Sequence, residues 1–159
     1  MQTDELTRTI ESYLKSHNAM SLATSHENRP HAASVFYLSQ GLELYFLSSP
    51  SSQHGQDLTV NNRASATINE DYGRWSEIKG LQLEGHVVQL GDIAENTEIA
   101  AALKTKFSDV SDFLKAPDEL PIAVADKVAK VKFFRFRPSK ISYIDNSLGF
   151  GHREELQIS

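Results

Sequence analysis

No cysteine occurs in the 159 residues, which removes disulfides, thiolate nucleophiles, zinc–thiolate sites and iron–sulfur clusters at once. No apolar run approaches the length of a membrane span. The first residues, Met1-Gln2-Thr3-Asp4-Glu5, are acidic and carry no apolar signal-peptide core. These absences predict a soluble cytoplasmic protein. Basic residues are in deficit: 16 Lys and Arg stand against 21 Asp and Glu, a net charge of −5. A general nucleic-acid binder usually carries a basic surplus. The histidines His17, His26, His31, His54, His86 and His152 include no i,i+4 pair and no acidic neighbours at ligand spacing, so no metal site is expected. A G-x-S-x-G nucleophile elbow is also missing, although serine is abundant. With no repeat, low-complexity stretch or linker, the chain reads as one domain long enough for a real core.

What is present is organised around residues 29–68. Val35, Phe36, Tyr37 and Leu38 suit a pleated, half-buried strand. Gln40-Gly41 makes a turn, and Leu42, Leu44 and Phe46 then alternate with Glu43 and Tyr45 at the period of a second strand. That strand runs into Ser48-Ser49-Pro50-Ser51-Ser52, after which a short helix over about 53–60 is expected. Serine hydroxyls cap a helix's first N–H groups, and that end of a helix favours an anion. The turn is therefore either an ordinary N-cap after a hairpin or a phosphate cradle.

Before this stretch, Leu6, Ile10, Tyr13 and Leu14 form one stripe of a helix over 3–17, with Thr3 as its cap. Met20–Ser25 is a strand and Glu27-Asn28-Arg29-Pro30 its turn. After it, residues 75–90 form a long strand in which Leu81, Leu83 and Val87 share a face. Its apolar phase slips beside Gly85, which predicts a bulge. A helical insertion over 92–116 follows. Asp92 and Glu95 have capping-box spacing, Ile99, Ala100, Leu103 and Phe107 form one buried stripe, Val110, Phe113 and Leu114 form another, and Ala116-Pro117 is the stop. Residues 127–140 hold six basic residues and no acidic one, interleaved with Phe133, Phe134 and Phe136. The acidic total favours an amphipathic strand with solvated bases over an RNA-binding one. The strands then occupy 19–91 and 128–145.

Read in order, these motifs resemble a known family. P-x-A-x-x-V-F-Y from Pro30, L-Y-F-L-S-S-x-x-S from Leu44 and H-x-x-x-L-x-x-N-x-R-A from His54 are similar to the pyridoxamine 5′-phosphate oxidase-like, FMN-binding split-barrel superfamily. The same holds for the strand from Trp75 through Gly80-Leu81-Gln82 to Gly85, and for Arg135-Phe136-Arg137-Pro138 with Ile141 and Tyr143. Asp145-Asn146-x-Leu148-Gly149-Phe150-Gly151 resembles a bacterial branch typified by the YhbP protein.

The resemblance implies a six-stranded antiparallel split barrel with peripheral helices, of Greek-key type. It implies a homodimer with FMN at the subunit interface and an FMN-dependent oxidoreductase acting on an unknown small molecule. The alternative it leaves open is a flavin- or haem-holding module, or an apo scaffold, without turnover. The ring is expected along Ala33, Ser34, Val35 and Phe36, with the phosphate at Ser48, Ser52, Gln53 and His54 and with Gln82 supplied by the partner. Related oxidases place arginine on the second strand and Arg-Lys after the capping serine, where this chain has Ala33 and Gln53-His54. Their R-x-H motif near the C-terminus becomes Phe150-x-His152, so the vitamin-pathway reaction itself is not expected. Tyr143, Asn146, Phe150 and His152 are the expected substrate pocket, on a loop that either covers the site or simply turns the chain. His54 is either a phosphate ligand, most effective when protonated, or a surface histidine in a helix's first turn.

Overall fold

The computed structural model describes residues 1–114 and 120–159. Its elements are α1 (Thr3–Ser16), β1 (Ala19–His26), β2 (Arg29–Phe36), β3 (Leu38–Gln40), β4 (Glu43–Ser48), α2 (Gln53–Val60) and β5 (Arg63–Asn69). Then come β6 (Lys79–Gly91), α3 (Thr97–Lys106), a 3-10 segment (Ser108–Leu114), α4 (Ile122–Ala129), β7 (Lys132–Asp145) and β8 (Arg153–Gln157). The expected stop at Ala116-Pro117 and the side chains of Phe113 and Leu114 lie outside the described residues. Among the described residues the fold is mainly β with four α-helices. The strands among these residues form one antiparallel sheet of eight, seven in the order β2-β1-β5-β6-β7-β4-β3 and β8 paired with β7 off that path, and the sheet does not close on itself.

The expected count of six strands is corrected to eight. β3 is a three-residue piece cut from the end of the preceding strand. β8 reads Arg-Glu-Glu-Leu-Gln, with only Leu156 buried, so it carries almost no apolar signal. Among the described residues β3 pairs only with β4, at the edge of the sheet, and the place of β8 is set by β7. Along one edge β7 pairs with β6 throughout. Along the other, its first half (Lys132–Phe136) pairs with β4 and its second half (Lys140–Ile144) with β8. Within the first half Phe133 and Phe134 are both buried although they point to opposite faces, Phe133 in the cluster under the insertion and Phe134 in the main core. A second correction concerns residues 128–131, expected to be strand: Ile122–Ala129 is α4, and β7 begins at Lys132.

The bulge expected at Gly85 is present as a register shift between Glu84 and Gly85 against β7. A Cβ on Gly85 would lie 2.7 Å from the Pro138 Cα, so the two strands approach too closely there for any side chain. Glu27 and Asn28 both have positive φ (49° and 60°), the conformation of a two-residue hairpin turn whose twist matches β1 and β2.

The core lies between α1 and the inner faces of the strands. Leu6, Ile10, Tyr13 and Leu14 belong to one buried cluster with Met20, Leu22, Leu81, Leu83, Phe46 and Phe134. Thr3 does not cap α1. It is the first helical residue, and Gln2 is the cap without a side-chain bond. A smaller cluster of Leu38, Ala100, Leu103 and Phe133 fastens the insertion to the barrel. Asp92 caps a short 3-10 turn by accepting from the Glu95 N–H, and α3 starts only at Thr97. Among the described residues no helix is long and apolar enough to cross a membrane.

Candidate functional site

β4 ends at Ser48 and the chain turns through Ser49–Ser52 into α2. The hydroxyls of this turn have separate duties. Ser49 Oγ accepts from the Ser51 N–H and bonds the Ser51 hydroxyl. Ser52 Oγ accepts from the Gly55 N–H at 3.1 Å, capping α2, and donates to the Ser49 carbonyl at 2.6 Å. Ser48 Oγ bonds the imidazole Nε2 of His54. Gly55 lets the helix press onto the turn, since a Cβ there would lie 2.6 Å from the Ser49 carbonyl oxygen and 2.7 Å from that of Pro50.

Beneath His54 sits Asp57, also buried. Its carboxylate accepts from Thr24 Oγ1 at 2.8 Å and Gln53 Nε2 at 2.9 Å, tying α2 to β1. The Thr24 hydrogen bond comes first among the causes holding this carboxyl below its usual range. His54 is only 8% exposed, and its ring is nearly parallel to that of His31, 6.2 Å away. Burial foremost, then the neighbouring His31, lowers the His54 pKa, with Asp57 acting in the opposite sense.

Ser48 and His54 open into a cleft of about 350 Å³. Ser34, Val35 and Phe36 of β2 form one side, Leu47 lies at its base, and Leu103, Phe107 and Val110 of the insertion form the roof. Phe36, 64% exposed, meets Phe107 at 5.2 Å between ring centroids. The roof is pinned beside Phe107: Lys106 Nζ donates to the carbonyls of His17 (2.6 Å) and Tyr37 (3.0 Å) and lies 4.3 Å over the Tyr37 ring. Burial pushes the Lys106 pKa down to about 8.

Of the residues expected at a cofactor, the fold thus brings Ser34, Val35, Phe36, Ser48 and His54 together. Ala33 is half-buried on β2 but does not line the cleft. Ser52 commits its hydroxyl to the helix cap, and Gln53 commits its amide to Asp57. Gln82 is exposed on β6, outside the cleft of its own chain, with its carbonyl oxygen held by Arg153 at 2.8 Å.

The expected substrate residues gather elsewhere. Tyr143 borders a groove against α1 together with Arg8, Ser12, Tyr13 and Lys79, and donates to Asp145 at 2.9 Å. Asn146 donates to the Trp75 carbonyl and accepts from the Gly151 N–H. Phe150, 83% exposed, sits edge-on to Trp75 at 5.3 Å. His152 Nε2 lies 3.5 Å from a Glu154 oxygen. None of the four lines the cleft in its own chain. Sequence reasoning missed the roof of the cleft, although the apolar stripe of Leu103 and Phe107 was its signal.

The family model described as pyridoxamine 5′-phosphate oxidase matches residues 6–145. A UPF0306 protein of Photorhabdus laumondii is 24% identical over 155 residues, covering 96% of both chains. The UPF0306 protein YhbP of Salmonella paratyphi B is 27% identical over 143 residues, covering 89% of this chain and 86% of its own. Among solved structures, a heme binding protein from Mycobacterium smegmatis superposes with a TM-score of 0.72 at 19% identity, over 99% of this chain and 58% of that one. An FAD-binding protein from Mesorhizobium loti gives a TM-score of 0.64 at 18% identity, over 86% and 91%. At these identities the structural likeness speaks for the fold. The family match runs from the first turn of α1 to the last residue of β7, and on that ground the chain belongs to the pyridoxamine 5′-phosphate oxidase family, with relatives in its UPF0306/YhbP branch.

Proposed function

We propose that this protein binds FMN, with the ring in the cleft along β2 and the phosphate at the turn between β4 and α2, and that it acts as an oxidoreductase on a small molecule. The observation that carries this reading is the convergence of Ser34–Phe36, Ser48 and His54, distant in sequence, on one cleft of about 350 Å³. That size and an apolar lining with a few polar groups at one end suit a planar aromatic ligand with an anionic tail. The group fits the residues present. Phe36, Leu47, Leu103 and Phe107 exclude water from a ring, and Ser48, His54 and the open end of α2 hold an anion. The N–H groups of Gln53 and His54 have no acceptor among the described residues. A bound flavin itself accepts and donates hydride, so the chain need supply only position, hydrogen bonds and dryness.

A second copy of the chain belongs to this proposal. The outer face of β2, β1 and β5 is a run of small side chains in register: Ala32 opposite Ala23, Ser34 opposite Ser21, then Ser65 and Thr67. With Phe36 exposed at its margin, this flat face suits an isologous contact that covers the cleft and brings in the partner's Gln82.

The competing reading is a flavin- or haem-holding module without turnover. It is favoured by Phe150, which stands where related oxidases carry the substrate arginine, and by a solved neighbour that is a heme binding protein. Titrating the purified protein with FMN, riboflavin and haem, then adding NADH or NADPH without oxygen, separates the readings. Flavin quenching followed by reduction supports the oxidoreductase. Flavin binding without reduction or productive reoxidation supports the module, and no flavin binding at any pH refutes the cofactor.

A further inference from the structure

We propose that Ser48 and His54 also form a nucleophile–base pair, which in the flavin-free protein takes acyl groups from small esters of short, apolar carboxylic acids. This activity does not depend on the flavin reading. The serines of the turn are not equivalent. Ser49, Ser51 and Ser52 spend their hydroxyls on the turn and on the helix cap. Ser48 alone among them bonds an imidazole, and both members of that pair face the cleft. A serine hydroxyl is a weak nucleophile unless an adjacent base removes its proton. His54 is that base, held on the first turn of α2 by the close packing of Gly55 against the Ser49 and Pro50 carbonyls.

The charged groups facing His54 are few. His31 stands beside it from β2. Asp57 lies one helical turn further on, its oxygens held by Thr24 and Gln53. The carboxylate therefore stabilises an imidazolium through its field and not through a direct hydrogen bond. Phe36, Leu47, Leu103 and Phe107 give an acyl chain an apolar wall, which sets the substrate class.

The step balances without a co-reactant. Ser48 Oγ bonds to the ester carbonyl carbon while its proton passes to His54 Nε2. The tetrahedral oxyanion is met by the open N–H groups at the start of α2. Collapse breaks the bond to the alkoxide, which leaves as an alcohol carrying the proton from Nε2. Water, deprotonated by the same nitrogen, then releases the carboxylic acid and restores Ser48.

The test uses flavin-free full-length protein, a serine-directed fluorophosphonate and p-nitrophenyl butyrate. The expected result is a single adduct on Ser48 by peptide mass spectrometry, and release of p-nitrophenol. Ser48→Ala, which removes one hydroxyl, should abolish both, while Ser51→Ala should leave both unchanged. His54→Gln should slow labelling by roughly a hundred- to ten-thousandfold, the usual range for losing a general base. The rate should fall in acid with a midpoint below the ordinary histidine value of ~6.5. Melting curves confirm that each variant is folded. No adduct, an adduct elsewhere, or labelling indifferent to His54→Gln overturns the proposal. Flavin quenching is read on the same preparations. Protein that binds FMN but takes no label refutes the pair alone, and protein that labels but binds no flavin refutes the cofactor reading alone.

Discussion

Replacing Gly55 by alanine should destabilise this protein, reversing the sign expected for a helix. In an unconstrained helix interior, alanine is better than glycine by about 0.8–1 kcal/mol. Here the new methyl would lie 2.6 Å and 2.7 Å from two backbone carbonyl oxygens, where ordinary contact begins near 3.4 Å. Backbone cannot swing aside as a side-chain tip can, so α2 must retreat from the turn by several tenths of an ångström. Overpacking of this kind costs typically about 1–3 kcal/mol. The same retreat lengthens the 3.1 Å bond from the Gly55 N–H to Ser52, and losing such a cap costs roughly 1 kcal/mol more. Set against the propensity gain, the net loss is about 1–3 kcal/mol. For a chain of this size that lowers Tm by roughly 2–12 °C. Differential scanning calorimetry measures the shift, and flavin titration shows whether displacing Ser48 and His54 weakens binding. Gly73→Ala is the control, because nothing lies within 4 Å of a Cβ placed there. A Gly55→Ala protein as stable as wild type, with unchanged FMN affinity, would refute the reasoning about how α2 is seated.

Two further outcomes follow from the roof of the cleft. Phe107→Ala removes one side of the aromatic pair with Phe36 and should weaken FMN and riboflavin equally, by roughly tenfold or more, since the loss of about 1.5–3 kcal/mol of apolar burial falls on the ring; unequal losses in a titration would place the ring elsewhere. Lys106→Met keeps the apolar stem but loses two bonds to carbonyls, and should cost about 1.5–3 kcal/mol at pH 7 by denaturant unfolding. The pH dependence has a definite sign. The folded-state pKa of about 8 lies below the unfolded value of ~10.4, so across that window the unfolded chain binds the extra proton. Wild-type stability relative to the variant should therefore widen between pH 8 and 10, and a shrinking margin would contradict the burial of this ammonium.

The sequence made the helices and strands with one buried face easy to read, because their periods are clean. Leu6, Ile10, Tyr13 and Leu14 on α1 are all buried, and the slip beside Gly85 is a real bulge. Elements without such a face were not legible. β8 pairs along an outer half-edge of β7 and buries only Leu156, so its polar string gives no strand period. α4 is apolar on several sides, with Ile122 and Val124 exposed, so it shows no clean helical stripe, and its last residues from 128 on fall within the stretch expected to be strand. At the site, the serine-rich turn and His54 were visible as candidates, but their partners were not. Nothing local says that the Gln53 amide is taken by Asp57, that Ser48 meets His54, or that Phe107 folds over Phe36. Those contacts are set by how α2 and the insertion pack on the barrel. The same limit applies to Tyr143, Asn146, Phe150 and His152, which resemblance grouped as a pocket and the fold places outside the cleft of their own chain.

The most direct test of the account compares FMN with riboflavin, which shares the ring and lacks the phosphate, in wild type and His54→Ala. If the phosphate lies at the β4–α2 turn, wild type binds FMN more tightly than riboflavin. His54→Ala then loses about 1.5–3 kcal/mol on FMN, roughly ten- to over a hundredfold, and little on riboflavin. Burial lowers the pKa of free His54, so a bound phosphate should draw a proton onto the ring and FMN affinity should rise as pH falls. The rise should continue below pH ~6.5, although protonation of the phosphate itself near pH ~6 opposes it. Fluorescence quenching across pH reads both effects. A selective loss of FMN affinity in His54→Ala is the expected result, and equal losses for the two flavins, or no flavin binding by wild type at any pH, would contradict a phosphate held at the β4–α2 turn.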